Sequence, residues 1–160
     1  MTAAGLLILR LTLAFVLVSH GGHTLLGWFA GGGLGPGGLD QAAARFGAAG
    51  LNPGYTMAVI VGAVQFTSGW LIAIGILARW AAGASLIITT LLLWKLQAAW
   101  GFYLNWHNDP TRGHGTEYSI VLIGLLVTLL LTGAGDFSFD GRRANMQAAR
   151  AAGRARVRGR

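Results

Sequence analysis

Four long apolar segments dominate the sequence, and their length restricts what the chain can fold into. They run from about Gly5 to Trp28, Gly54 to Leu77, Trp80 to Gly101 and Thr116 to Gly135. About 20 mostly apolar residues suffice to cross the roughly 30 Å hydrocarbon layer of a bilayer. In hydrocarbon each backbone N–H and C=O must be paired within its own segment, so these stretches are expected to be helices. A glycine-rich stretch, Gly31 to Gly38, interrupts the chain after the first segment. Leu39 to Ala49 then reads as a short helix at the membrane interface, and Asn52-Pro53 opens the second span. Ala78-Arg79-Trp80 makes a tight turn into the third, and a polar loop from Asn105 to Gly115 leads to the fourth. Short connections place successive helices antiparallel. The expected fold is an all-α integral membrane protein, a four-transmembrane-helix up-down bundle with a short interfacial helix after the first span.

The charge inventory supports lipid as the solvent of most of the surface. Charged residues make up 11% of the chain and hydrophobic ones 54%, whereas a soluble domain carries roughly a quarter charged residues. The net charge of +7 does not indicate nucleic acid, because seven of the twelve Lys and Arg lie after Asp140. The excess is a tail and not a groove-lining patch. The chain therefore divides into residues 1–140, the transmembrane domain, and residues 141–160, a basic cytoplasmic tail without an acidic residue. Basic residues mark the cytoplasmic side. With the tail inside, that side holds Arg79 and the seven tail arginines, and the other side only Arg45 and Arg112. Both termini are thus expected in the cytoplasm. Trp28, Tyr55, Tyr103, Trp106 and Tyr118 would mark the outer interface and Trp80 the inner one. The tail itself reads as a disordered topology anchor, with docking to an acidic partner as the competing reading. Its Ala/Gly/Arg composition suits a GC-rich bacterial genome and hence the bacterial inner membrane. The first twenty residues lack a basic leader region and an A-x-A site, so they read as an uncleaved span. There is no cysteine, which excludes disulfides, thiolate-bound zinc, iron–sulfur clusters and thiol exchange by this chain.

Polar side chains inside spans are expensive and are the first place to seek function. Here they are Arg10, His20, His23, Gln65, Lys95, Gln97 and Glu117. Gln65 shares a helical face with Ala58, Gly62, Gly69 and Ala73, small residues that permit close packing, so it should point inward. Its plain role is an interhelical hydrogen bond. Glu117 fits the start of a helix by its charge, and it lies at the depth of Lys95, for which it would be the internal partner. His20 and His23 are too few for a metal site, and a hydrogen-bonded or proton-exchanging His20 is the better reading. Arg10 is expected to extend its stem to the cytoplasmic headgroups. His20, Gln65, Lys95, Gln97, Trp100 and Glu117 all fall between the bilayer middle and the outer surface. Polar groups and aromatics at one depth suggest a pocket for an amphipathic molecule, a quinone or a lipid. His20, Gln65, Lys95, Trp100 and Glu117 are its candidate lining. No catalytic residue, metal or intrinsic cofactor is assigned.

The chain resembles the DoxX family of small four-span bacterial membrane proteins. The resemblance rests on Arg10 with Ser19-His20-Gly21, on Gln65 with Gly69 and the run Leu71 to Arg79, and on Gly101-Phe102. It continues through Gly115-Thr116-Glu117 and the closing Gly133-Ala134-Gly135-Asp136-Phe137-Ser138-Phe139-Asp140, covering about residues 6 to 140. Family members commonly carry a glutamate where this chain has Gln65, and an amide cannot take up a proton near neutral pH. The resemblance implies a setting in membrane redox chemistry, since some relatives are subunits of a thiosulfate:quinone oxidoreductase and others scaffold oxidoreductase complexes. The expectation is a membrane subunit or scaffold of an oxidoreductase or respiratory complex. Its partners would be membrane lipids and other subunits of that complex, not nucleic acid, and quinone its only candidate cofactor. The alternative is a catalytic, quinone-reactive subunit of the thiosulfate:quinone oxidoreductase type. A small transporter ranks third, because no span is broken in the way transporter helices are.

Overall fold

The computed structural model describes residues 2–30, 36–107, 109 and 111–158. Among these residues the chain is all-helical, with six α-helices and no strand. They are α1 (Ala3–Leu26), α2 (Leu39–Ala48), α3 (Gly54–Ile74), α4 (Ala78–Leu92), α5 (Glu117–Thr132) and α6 (Phe139–Arg158). A π-helical segment (Leu93–Gln97) and one 3₁₀ turn (Ala98–Trp100) extend α4. Of the glycine-rich stretch, residues 31–35 lie outside the described residues.

Three helices are long and apolar enough to cross a membrane: Ala3–Leu26, Gly54–Ile74 and α4 with its extension, Ala78–Trp100. The fourth, expected from Thr116 to Gly135, is helical only over the 16 residues Glu117–Thr132. At 1.5 Å per residue that is about 24 Å. Both ends are trimmed by hydrogen bonds elsewhere. The N–H groups of Gly115, Thr116 and Glu117 donate to Tyr103, Gly101 and Phe102 carbonyls, which holds this stretch in the preceding loop. Gly133 leaves the helix at φ 77°.

The helices pack in antiparallel order, α1 on α3, α3 on α4 and α4 on α5. Closeness comes from glycine. A Cβ on Gly21 would lie 2.4 Å from the Phe66 backbone nitrogen, and one on Gly69 would lie 2.6 Å from a Val18 methyl. Such approach is how helices associate where lipid offers no hydrophobic driving force. Leu13, Leu17, Ile72, Leu126 and Leu129 are almost fully enclosed at the centre, while Ile8, Phe15, Trp70, Ile87 and Leu131 point outward, as lipid contact requires. Trp28, Tyr55, Tyr103, Trp106 and Trp80 are exposed near helix ends. Tyr118 instead turns toward α1. The tail departs from the disordered reading: α6 is helical through Arg158, because alanine and arginine are among the strongest helix formers.

Candidate functional site

Polar residues concentrate at the two ends of the core. At the end from which α6 leaves, here the basic end, Arg10 is 1% exposed and does not reach for any headgroup. The snorkelling reading is therefore wrong. The guanidinium gathers four carbonyls: Nε donates to Ile72 O (2.9 Å), Nη1 to Ala134 O (3.1 Å) and Phe137 O (2.8 Å), and Nη2 to Ala73 O (2.6 Å). These acceptors are left over at the C-terminal end of α3 and in the loop after α5, so one side chain satisfies two chain ends at once. The signal was present in the sequence. Leu6, Arg10, Leu13 and Leu17 are spaced at helical intervals on one face, and all four are buried.

Asp140 completes this end. Its carboxylate accepts from Leu77 N (3.2 Å) and Ala78 N (3.0 Å), and its own N–H donates to Gly75 O (3.0 Å). Leu77 takes the left-handed conformation at φ 51°, unfavourable for a side chain with a Cβ. The cap on the first α4 amides offsets that strain. Ser138 Oγ donates to Gly135 O and accepts from Gly141 N.

At the opposite end, the loop end, the sequence-predicted residues are arranged differently from expectation. His20 Nε2 and the Tyr118 hydroxyl share a hydrogen bond at 3.3 Å, with ring centroids 5.8 Å apart. His23 diverges from His20; its Nδ1 pairs with Trp28 O at 2.7 Å, and its carbonyl accepts from Gly27 and Gly38. The two imidazoles thus serve separate contacts, and no group of three metal-ligating side chains exists among the described residues. His23 also lines a small cleft of about 30 Å³ with Gln41 and Arg45. Gln65 is buried within the core, between Gly62 and Gly69, where α1 packs closely.

Lys95 and Glu117 do not pair. Lys95 Nζ sits 4.4 Å from the Trp94 ring centroid, a cation–π contact. Glu117 Oε2 accepts from Leu104 N at 3.2 Å, so its carboxylate pins the loop that α5 follows. Trp100 is half exposed, its carbonyl accepts from Arg112, and Gly113 lies flat against its indole.

One feature was invisible in the sequence. After Leu92 the α4 helix widens, and Ala98 N–H donates to Leu93 O, five residues back. Such π-helical turns are rare and recur at functional sites. This one carries Lys95 and Gln97. Gln97 Oε1 is buried without a hydrogen-bond partner among the described residues, as are Ser85 Oγ and Thr89 Oγ1 further down α4. Sequence reading included Gln97 among the polar residues but passed over Ser85 and Thr89, whose hydroxyls ordinarily bond to the carbonyl one turn back. Thr90 does so, with Leu86 O at 2.8 Å. Ser85 and Thr89 do not.

Three long apolar helices, an interior closed by small residues and a lipid-suited exterior define a multi-pass membrane protein. The DoxX family model matches residues 5–98, more than half of the chain, and the protein belongs to the DoxX family. The match ends just past the widened turn of α4, so the Glu117 segment and the closing Gly133–Asp140 segment lie beyond it. Neither the curated proteins nor the solved structures gave a match.

Proposed function

We propose that this DoxX protein is an integral, non-catalytic subunit of a membrane oxidoreductase complex, and that α4 at the loop end receives the polar head of a quinone or lipid. The observation that carries the reading is the two unpaired polar atoms between the middle of this helix and its loop end, Thr89 Oγ1 and Gln97 Oε1; Ser85 Oγ, also unpaired, lies about 18 Å from Gln97 along the axis, toward the basic end. An unpaired polar group in a membrane interior costs several kcal/mol, so a partner that supplies hydrogen bonds is expected. The Thr89 hydroxyl can donate to a quinone carbonyl, and Gln97 Oε1 can accept from a hydroxyl of a quinol or lipid head. Lys95 beside Trp94 and the His20–Tyr118 pair stand at the same end, with a cation and a polarised hydroxyl to orient such a head.

In this reading α5 is the fourth span, its 16 residues matched to the bilayer by local thinning. The basic end faces the cytoplasm of a bacterial inner membrane by the positive-inside rule, α2 lies at the outer interface, and both termini are cytoplasmic. Gln65 supports a non-catalytic role, since its amide cannot take up a proton near neutral pH.

The test is extraction in mild detergent followed by mass spectrometry of the proteins and lipids that stay bound. Larger redox subunits and a quinone or lipid should co-purify. The conservative variants Thr89→Val and Gln97→Leu should lose the small molecule while keeping the helical fold. A lone protein with nothing bound would overturn the reading. Thiosulfate- or thiol-dependent quinone reduction abolished by Lys95→Ala would make the protein a catalytic subunit instead.

A further inference from the structure

We propose that α6 is a docking surface for anionic lipid, lying along the headgroups of the membrane that holds the spans. The inference needs the spans to sit in a bilayer and is independent of the redox reading above.

The first support is the root of the helix. Its opening turn is fixed to the base of the core by the Asp140 bonds to Gly75, Leu77 and Ala78. Arg142 N donates to Ser138 O (3.1 Å) and Asn145 Nδ2 to Asp136 Oδ1 (3.3 Å). The helix therefore starts where the spans end, and lipid headgroups are its nearest neighbours. Attachment of this kind makes docking intramolecular, so weak contacts suffice.

The second support is charge. The helix spans six arginines, and no acidic residue follows Asp140. Arginine forks engage phosphate oxygens bidentately.

The third is the arrangement of side chains around the helix. At 100° per residue, Phe139, Arg143, Met146, Arg150 and Arg154 fall within an arc of about 80°. Ala144 and Ala148 lie on the far side of the helix, about 120° and 160° from the centre of that arc. All of these residues are exposed. Two apolar side chains, Phe139 and Met146, thus share one face with three arginines. Phe139 and Met146 would enter the acyl boundary while the arginine stems reach the phosphates around them. An acidic protein would answer the arginines but leaves the interleaved Phe139 and Met146 without a purpose, so lipid is the better occupant.

The chain has no cysteine, which makes single-cysteine labelling clean. Met146→Cys and Ala148→Cys in the full-length protein, each carrying a fluorophore, are reconstituted into vesicles containing lipid brominated high in the acyl chain. With phosphatidylglycerol present, the label at position 146 should be quenched strongly and that at 148 little. In phosphatidylcholine alone, or at high salt, the difference should shrink. The triple substitution Arg143→Gln, Arg150→Gln, Arg154→Gln removes three contacts worth about 1 kcal/mol each, and so lowers the docked-to-free ratio about a hundredfold. Equal quenching at 146 and 148, or no response to phosphatidylglycerol, would overturn the proposal. The second result, joined to retention of an acidic protein that the triple variant loses, would assign the face to that protein.

Discussion

Arg10 and Gln97 are both polar side chains within an apolar helical core, yet the chain treats them in opposite ways. Arg10 meets four carbonyls from two different connections, and around it Asp140 and Ser138 are paired as well. Gln97 stands in a distorted turn with its oxygen unpaired. A saturated buried network is rigid and specifies one arrangement, whereas a partly satisfied one is costly. The basic end is therefore the fastening of the fold, and the loop end is where stability has been given up to leave hydrogen-bonding capacity. In the same way, α3 leaves through the strained Gly75–Leu77 turn held by Asp140, while α4 leaves through a widened turn that nothing comparable locks.

Substitutions should separate the two ends by size of effect. Arg10→Ala strands several buried carbonyls at about 1–3 kcal/mol each, so a loss of about 4 kcal/mol or failure to fold is expected in thermal unfolding in detergent. Arg10→Lys should rescue little, because one ammonium cannot reproduce the planar fork. Gly75→Ala comes next. Gly75 has φ 78°, and a Cβ there would lie 2.4 Å from Ser138 Cβ and 2.6 Å from Arg10 Nη2. A cost of about 2–3 kcal/mol follows from backbone strain and overpacking together. Asp140→Ala removes the cap on α4 and one anchor of the α6 root, keeps the backbone bond to Gly75, and should cost about 1 kcal/mol by the same assay. Gln97→Leu should be near neutral or stabilising by up to about 1 kcal/mol, since it deletes an unpaired acceptor. A destabilisation by Gln97→Leu as large as that by Arg10→Ala would erase the contrast between the ends.

The smallest effect concerns the loop beyond Trp100. The Thr111 hydroxyl and N–H donate to Asp109 and hold its carboxyl below its ordinary value of 3.8. A depressed value favours the folded loop above the unfolded value, and that support fades as pH falls through the folded one. Acidification below about 4 should loosen the loop around Asn105 and Arg112 without unfolding the helices. Amide exchange at Thr111 would show it; no change between neutral pH and pH of about 3 would sink the assignment.

The helices were legible because their apolar runs are long and leave a single solution in lipid. Gln65 was legible too, since the small residues around it mark the face that packs. Arg10 was misread because its depth near the end of a span suggested an escape to water, whereas its position on the Leu6–Leu13–Leu17 face placed it in the core. The tail was misread from composition alone: it has too few large apolar residues for a core of its own, but its alanines and arginines form a helix without one. The widened turn after Leu92 could not be read at all. The apolar run through Leu91–Leu96 reads as ordinary helix, and nothing in its periodicity marks the change of hydrogen-bond register. Lys95 and Glu117 were matched by depth and charge, yet the Leu104 amide claims the carboxylate.

The position of Arg10 has a consequence for biosynthesis. Its acceptors lie 62 to 127 residues further along the chain, so the first helix enters the bilayer long before its guanidinium can be satisfied. An unpaired arginine deep in a helix costs about 2.5–3.5 kcal/mol on insertion scales. Ile72 and Ala73 relieve part of that penalty once α3 inserts, and the rest is relieved only when the segment after α5 brings Ala134 and Phe137. Chains truncated before Ala134 would leave Nη1 without both of its acceptors.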